Sequence, residues 1–390
     1  MSNSEGAFVM GDETPCTEGR STRLAWAFEM PSENSLVSLP VECRKRHQTN
    51  VRQWNESSAL FFYRMETIGD LVTVFVSSSR CIFENLAFEE WLFRNHNMCS
   101  NGDSLLIWRN SPAVVIGRYQ NPWLESDVHF CQANGIRLAR RHSGGGAVYH
   151  DEGNLNISLL TTHEGHSRKR NLQILAHFLN AELLCRPSDD VGIGTSRLIA
   201  NSRDDLLIGK PPNGGAKVSG TAARIARGRA YHHFTLLVDV GMDALRHSLN
   251  SPFKNRIETN ASRSVPAKSV GNLAQHIKRG TNHLVSTEEL VEKVTDCVLR
   301  AFILQYESSK LVRWGGEMDK LRGFDEILTN LRSNEWVYGK TPKFTLQLMD
   351  NGGAICVENN GQICESSSGQ FPIGTPFHKA FLSFSSECFK

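Results

Sequence analysis

Apolar and polar positions change rhythm near residue 70. Residues 1–65 are rich in Ser, Asn, Thr and Glu, and their apolar positions keep no sustained period, the pattern of a loosely structured segment. From Leu71 the pattern predicts ordered elements. LVTVFVS (Leu71–Ser77) suits a buried strand, and Phe83, Leu86, Ala87 and Trp91 recur at helical spacing. Ser104–Arg109 and Ala113–Gly117, separated by Asn110-Ser111-Pro112, read as a hairpin. A short helix ending near Gly135 and a strand over Ile136–Arg140 follow, then strand-like alternation through AVYH and NLNISLL. Asn171–Leu184 carries Leu172, Leu175, Ala176, Leu179 and Leu183 on one helical face.

Arg197–Gly220 reads as short strands with turn chemistry at Pro211–Gly215, and Ala230–Val240 as another buried strand. Ser251–Gly280 is polar and basic. Ser286-Thr287-Glu288-Glu289 marks a helix start, with acids at the positive end of the dipole and Leu290, Val294, Val298 and Ala301 inward through about Tyr306. The remainder, with a hairpin around Asn359–Gly361, reads as a smaller mixed domain. The expected division is a segment 1–65, a catalytic domain 66–285 and an accessory domain 286–390.

Composition narrows the class. A chain of 390 residues with 40% hydrophobic and 22% charged residues has material for a real core, and its net charge of +2 gives no nucleic-acid footprint. No apolar run approaches the roughly 18–20 residues of a spanning helix. The 10 cysteines form no CxxC pair, which points to reduced thiols. In the first segment Arg20, Arg23, Arg44, Lys45, Arg46 and Arg52 favour a mitochondrial presequence, Glu5, Asp12, Glu13 and Glu18 oppose it, and Met65 is a candidate internal start.

Four features could carry chemistry. The first is Gly144-Gly145-Gly146 between Arg140, Arg141, Ser143 and His150, Asp151, Asn154. A triple glycine is often only a turn, but one so flanked can lay its backbone against an acidic small molecule. The second is Lys217 with Ser219-Gly220-Thr221: either a solvated surface charge or an ammonium for a carbonyl or phosphate. The third is Asp205, an ordinary start of a strand or a carboxylate for Mg²⁺. The fourth is His232-His233, which must point to opposite faces of a strand, so one packs and the other faces a site. The cluster Ser167–Arg170 is either a solvated helix start or a meeting point for an acidic protein. HExxH, GxSxG and Walker motifs are absent.

Taken together, RRHSGGGAVYHDEGNLNIS, RDDLLI, KVSGTAARI with AYHHFTLL, and WVYGKTPKF resemble the lipoate–protein ligase A and lipoyltransferase family, in register from about Val72 to about Phe344. The resemblance implies an α+β fold: a catalytic domain similar to biotin ligases and class II aminoacyl-tRNA synthetases, with a small C-terminal accessory domain. It implies lipoyl-AMP as donor, or a lipoylated carrier protein, with Mg²⁺ and ATP only if the chain also activates free lipoate. It implies as acceptors the lipoyl domains of 2-oxoacid dehydrogenase E2 subunits and the glycine-cleavage H protein, a monomer in mitochondria, and no nucleic-acid or membrane partner. Arg141, Ser143, Gly144, Gly145, Gly146, Ala147 and His150 would wall the lipoyl group, Asn154 would face the phosphate, and Asp205 would match a Mg²⁺/phosphate aspartate. Lys217 would be the catalytic lysine, followed by Ser219, Gly220 and Thr221. His142 stands where many bacterial ligases have serine. Two readings of another class compete: an octanoyltransferase using an acyl-cysteine, opposed by the lack of cysteine between Cys185 and Cys297, and a non-catalytic lipoyl-domain binding protein.

Overall fold

The computed structural model describes residues 68–184, 196–209, 215–277, 285–315, 321–348, 353–367 and 371–383. The N-terminal segment and most of the Pro211–Gly215 turn lie outside these. The strands in chain order are β1 (Gly69–Ser77), β2 (Asp103–Trp108), β3 (Ala113–Ile116), β4 (Arg137–Arg140), β5 (Val148–His150), β6 (Asn154–Thr162), β7 (Arg197–Ala200) and β8 (Leu206–Gly209). They continue as β9 (Ala216–Lys217), β10 (Thr221–Ala226), β11 (Arg229–Leu237), β12 (Ile257–Thr259), β13 (Tyr306–Trp314), β14 (Phe344–Gln347), β15 (Ala354–Val357) and β16 (Ile363–Ser366).

The main sheet is mixed and runs β10-β11-β6-β2-β1-β13. Alternation sends Val72, Val74, Leu105, Ile107, Leu155, Ile157 and Leu159 to one face, where helices Arg168–Leu179 and Thr287–Ile303 cover them. Phe75, Leu106, Trp108, Leu160 and Tyr231 point to the other face, under helices Ile82–Asn95 and Phe324–Arg332. Burying Leu290, Val294 or Val298 in the first layer contributes roughly 1.5–3 kcal/mol each. Ser286 caps their helix by accepting from the Glu289 amide, as the sequence predicts.

One expectation is corrected. β2 and β3 form no hairpin: β2 lies between β1 and β6, while β3 lies between β4 and β5 in a separate sheet. The turn between them is drawn out of the main sheet by fully buried Asn110, whose side chain meets those of Asn85 and His150, and by the Ser111 amide, which donates to Arg80. The elements just after position 286 lie within the main layers. The helix Thr287–Ile303 packs in the main core, and β13 extends the main sheet by pairing parallel to β1. The smaller sheet instead recruits β12 from earlier in the chain, in the order β12-β14-β15-β16. Its core gathers Phe344, Phe377 and Phe381 around Trp123. The hairpin around Asn359–Gly361 forms as β15–β16.

Candidate functional site

The glycine turn exists because of sheet order. β4 and β5 flank β3 on opposite sides, so residues 141–147 must arch over the end of β3. Gly117 stands at that end: a Cβ there would lie 2.2 Å from the Gly145 carbonyl oxygen. Gly145 itself takes φ +88°, a left-handed conformation that suits glycine. A Cβ on Gly146 would meet the Ser264 hydroxyl at 2.9 Å, and that hydroxyl accepts from the Ala147 amide at 2.8 Å. The turn is therefore pressed between β3 below and the segment around Ser264 above.

Two arginines hold it. Arg141 donates to the carbonyls of Val115, Gly144 and Gly146 and to the Ser143 hydroxyl. Arg140 is fully buried and donates to the carbonyls of Arg118, Gln120, Trp336 and Val337 and to the Thr341 hydroxyl. Burial pulls the Arg140 guanidinium down to about 9 and that of Arg141 to about 10. A second buried chain runs from Glu89 to His233 Nδ1 (3.0 Å) and from His233 Nε2 to Ser143 Oγ (3.2 Å).

Lys217 lines the same open cleft as Ala147, the last residue of the turn. β9 pairs with β8, the Lys217 amide donates to Ser269, and the amides of Leu237 and Thr235 donate to Val218 and Gly220. That ladder fixes the lysine between the small β7-β8-β9 sheet and β11. Its Nζ lies 2.6 Å from Asp205 Oδ1, an ammonium–carboxylate contact at the cleft. The Ser219 hydroxyl is turned inward, accepting from the Leu206 amide.

Two cavities meet here, sharing Val148, Gly220 and Thr235. One is a slot of about 30 Å³ bordered by Leu86, Trp108, Val148, His150, Asn156 and His233. The other is an open cleft of about 250 Å³ whose charged lining is Lys217, Lys254, Arg263 and Glu125. His150 is buried on the slot, and its Nε2 has no protein partner. On the other side of the ring, His150 Nδ1 lies 2.9 Å from the Asn110 side-chain amide.

Burial holds His142 and His150 neutral, each pushed down to about 3. His142 lies 3.6 Å from Glu90, but desolvation together with Arg224, Arg94 and Arg118 outweighs that carboxylate, so the contact is not an ion pair. The unfolded chain binds a proton at each ring below its ordinary 6.5, and the folded chain does not until near 3. Stability is therefore full above pH 6.5 and falls as pH drops. Between pH 7.5 and 5.0 each ring is expected to cost up to about 2 kcal/mol, checked by urea unfolding at both values. His150→Asn should flatten the difference by one ring's share; a pH-independent unfolding midpoint would contradict this.

Sequence-predicted residues divide into those at the cavities and those behind them. Gly146, His150 and Thr221 border the slot, Ala147, Lys217 and Ser219 border the cleft, and Gly220 borders both. Arg141 touches the slot but directs three hydrogen bonds into the turn and one to Val115 on β3 beneath it. Ser143, Gly144, Gly145, Asn154 and Asp205 line neither cavity, and Asp205 reaches the cleft only through Lys217. Asn154 is fully buried and donates to Asn156, the residue that does border the slot. His232 packs, bonded to Thr221 and Asn171, while His233 faces the slot, the division expected of adjacent strand residues. Sequence reasoning missed Lys254, Arg263 and Ser264. Their signal was the cation density of the basic stretch Ser251–Gly280. Among the described residues no group of three His, Cys, Asp or Glu side chains could hold a metal, and no cysteine borders either cavity. No helix of the described residues is long and apolar enough to cross a membrane.

Residues 81–299, more than half of the chain, match the lipoyl protein ligase A/B catalytic domain. The chain is 39% identical to the mitochondrial lipoyl amidotransferase of Mus musculus over 69% of its own length and 66% of that relative's, so the match spans just under two thirds of that protein. It is 34% identical to a lipoate-protein ligase A of Bdellovibrio bacteriovorus, covering 70% of this chain and 73% of that one. In structure it resembles P. falciparum LipL1, solved in complex with lipoate, at a TM-score of 0.55 and 24% identity over 75% of this chain and 82% of that one, a likeness of fold. A mixed sheet with a glycine turn over β3, sharing a cleft with a lysine on β9, is thus housed in a chain that belongs to the lipoyl protein ligase A/B catalytic-domain family.

Proposed function

We propose that this protein is a lipoyltransferase that moves a lipoyl group from lipoyl-AMP to the ε-amine of a specific lysine on lipoyl domains of 2-oxoacid dehydrogenase E2 subunits. The observation that carries the reading is Lys217 held by Asp205 at the cleft that Ala147 of the glycine turn also lines, in a chain of this family. An acyl-adenylate is already activated, so the protein must position it and stabilise charge rather than supply a nucleophile. The acceptor amine attacks the acyl carbonyl, AMP leaves from that carbon, and the amine gives up a proton. Lys217 faces the developing oxyanion and the phosphate. Lys254 and Arg263 face the nucleotide side of the cleft, while the slot takes the acyl tail once Val148 and its neighbours make room. The glycine-cleavage H protein is a further acceptor, and a lipoylated carrier protein a further donor. The four-stranded sheet β12-β14-β15-β16 is the accessory unit. A mitochondrial location is supported by the mitochondrial mouse relative.

The ligase reading is favoured by one observation, the 34% identity to a lipoate-protein ligase A. It would bring Mg²⁺ as part of the ATP substrate. Asp205 offers one carboxylate, already bonded to Lys217, so the phosphates and water would supply the other ligands. The separating experiment incubates the protein and an unmodified lipoyl domain with lipoyl-AMP, with lipoate plus Mg-ATP, or with a lipoylated H protein, and weighs the domain. Modification by lipoyl-AMP or the carrier, with none from lipoate and ATP, is expected; modification from lipoate and ATP overturns the transfer-only reading.

Gly220 supplies a site-specific prediction. A Cβ there would lie 2.7 Å from Val148 Cγ1 and 3.2 Å from Thr235 Oγ1, at the junction of slot and cleft. Gly220→Val should raise the KM for lipoyl-AMP at least about tenfold through that overpacking. Steady-state kinetics beside a thermal melt separate this from unfolding, and an unchanged KM would remove the junction from the donor path.

A further inference from the structure

We infer that Arg168, Lys169 and Arg203 form a docking surface for acidic side chains that flank the acceptor lysine on its carrier protein. This rests on the transferase reading and adds to it how the partner is recognised. Arg168 and Arg203 belong to a built arrangement, and Lys169 is the exposed neighbour of Arg168 on its helix. The turn Asn201–Asp205 is closed by Asn201 Oδ1, which accepts from the amides of Arg203 (2.8 Å) and Asp205 (2.9 Å), and Asp204 takes a left-handed φ of 58°. The neighbouring carboxylates are thereby sent to different cations. Asp204 Oδ2 meets Arg168 Nη2 at 3.0 Å, and Asp205 meets Arg203 Nη2 at 3.4 Å and Lys217 Nζ at 2.6 Å. Arg203 thus shares one carboxylate with the proposed catalytic lysine, and Arg168 is held beside it from the start of its helix.

These cations face solvent and not the donor. The side chains of Arg168 and Arg203 are 45% and 58% exposed, Lys169 is exposed, and none of the three borders the slot or the cleft. Lys254 and Arg263 do line the cleft, where the anionic part of an acyl-adenylate would lie. An acceptor lysine has to reach the carbonyl beside Lys217, so the surface around that lysine comes down on the rim one carboxylate away. In a chain whose net charge is only +2, positive charge gathered there selects an acidic partner and hastens its encounter.

The test measures transfer from lipoyl-AMP to a lipoyl domain at low and high ionic strength, with wild type, Lys169→Glu and the double variant Arg168→Gln/Lys169→Glu. At low salt the double variant should raise the acceptor KM about tenfold, the gap should close at high salt, and the KM for lipoyl-AMP and the melting temperature should stay at wild-type values. A lipoyl domain with its exposed Asp and Glu changed to Asn and Gln should show the same rise with wild type and no further rise with the double variant. An acceptor KM unchanged in both variants overturns the inference, as do losses from enzyme and domain that simply multiply. Wild type that transfers normally but without charge dependence refutes the docking surface alone; wild type that modifies no lipoyl domain from any donor refutes the transferase reading beneath it.

Discussion

Lys217→Ala is expected to lower kcat for transfer from lipoyl-AMP by about 10²–10³, equivalent to about 2.7–4 kcal/mol of lost charge stabilisation. Some stability goes with it, because Asp205 is buried beside Lys217 and leaving a buried carboxylate with one partner fewer costs about 1–3 kcal/mol. The catalytic loss has two parts. The ammonium disappears from the developing oxyanion, and the Asp205 carboxylate, 2.6 Å from it in the native protein, keeps only the more distant Arg203 guanidinium at 3.4 Å to offset its repulsion of a phosphate. Adding Asp205→Asn to Lys217→Ala should therefore recover part of the rate. Lys217→Arg should recover little, since a planar fork does not reproduce a point charge on a flexible stem. Quenched time courses at saturating lipoyl-AMP check all three; a kcat for Lys217→Ala near wild type would remove the lysine from the mechanism.

Arg140→Met should cost at least about 3 kcal/mol of stability, the largest structural effect expected of one substitution near the site. Arg140 is fully buried with no carboxylate among its hydrogen-bond partners, and its guanidinium joins the loop Gly117–Gln120 to the segment Trp336–Thr341. Trp336 Nε1 closes the clasp by donating to the Arg140 carbonyl at 2.7 Å. Methionine fills much of the volume but leaves those oxygens without donors in a dry interior, where each unsatisfied group costs about 1–3 kcal/mol. Arg140→Lys should fail nearly as badly, because three donors on one nitrogen cannot reach both segments. Urea unfolding measures the loss. A change below about 1 kcal/mol would mean that water or a rearranged loop satisfies these carbonyls.

Arg140 also shows where sequence reading stops. RRHSGGG reads as a basic pair beside an anion-binding turn, yet the structure directs both guanidiniums to protein oxygens, and the cations lining the cleft are Lys217, Lys254 and Arg263. Residue type and spacing located the turn and Lys217, because glycine at φ +88° and a lysine before Ser-Gly-Thr are local signals. Which way Arg140 and Arg141 point is set by the Val337 carbonyl, nearly 200 positions away, and by β3 beneath the turn. The same division holds for the fold. β1, β6 and β11 are legible as apolar runs, and helix Thr287–Ile303 as a capped, one-faced period. β13 was hidden because YESSKLVRW lacks the continuous apolar run of an inner strand, and its partner β1 lies far back in the chain. The β2–β3 hairpin was expected because neighbours in sequence usually pair; here Asn110 turns the chain away and β6 takes the place beside β2.

The central claim is direct transfer from an adenylate steered by Lys217, with no acyl-enzyme. Among the described residues no cysteine borders the slot or the cleft, and burial pushes the Cys131 thiol up to about 11 and that of Cys297 up to about 12. The most direct measurement is an acid-quenched single turnover, with enzyme preloaded with lipoyl-AMP, mixed with a lipoyl domain, and both proteins weighed intact at each time. The domain is expected to gain one lipoyl group as AMP appears, at one rate, while the enzyme's mass never changes. A lipoyl group found covalently on the enzyme before it reaches the domain would contradict direct transfer.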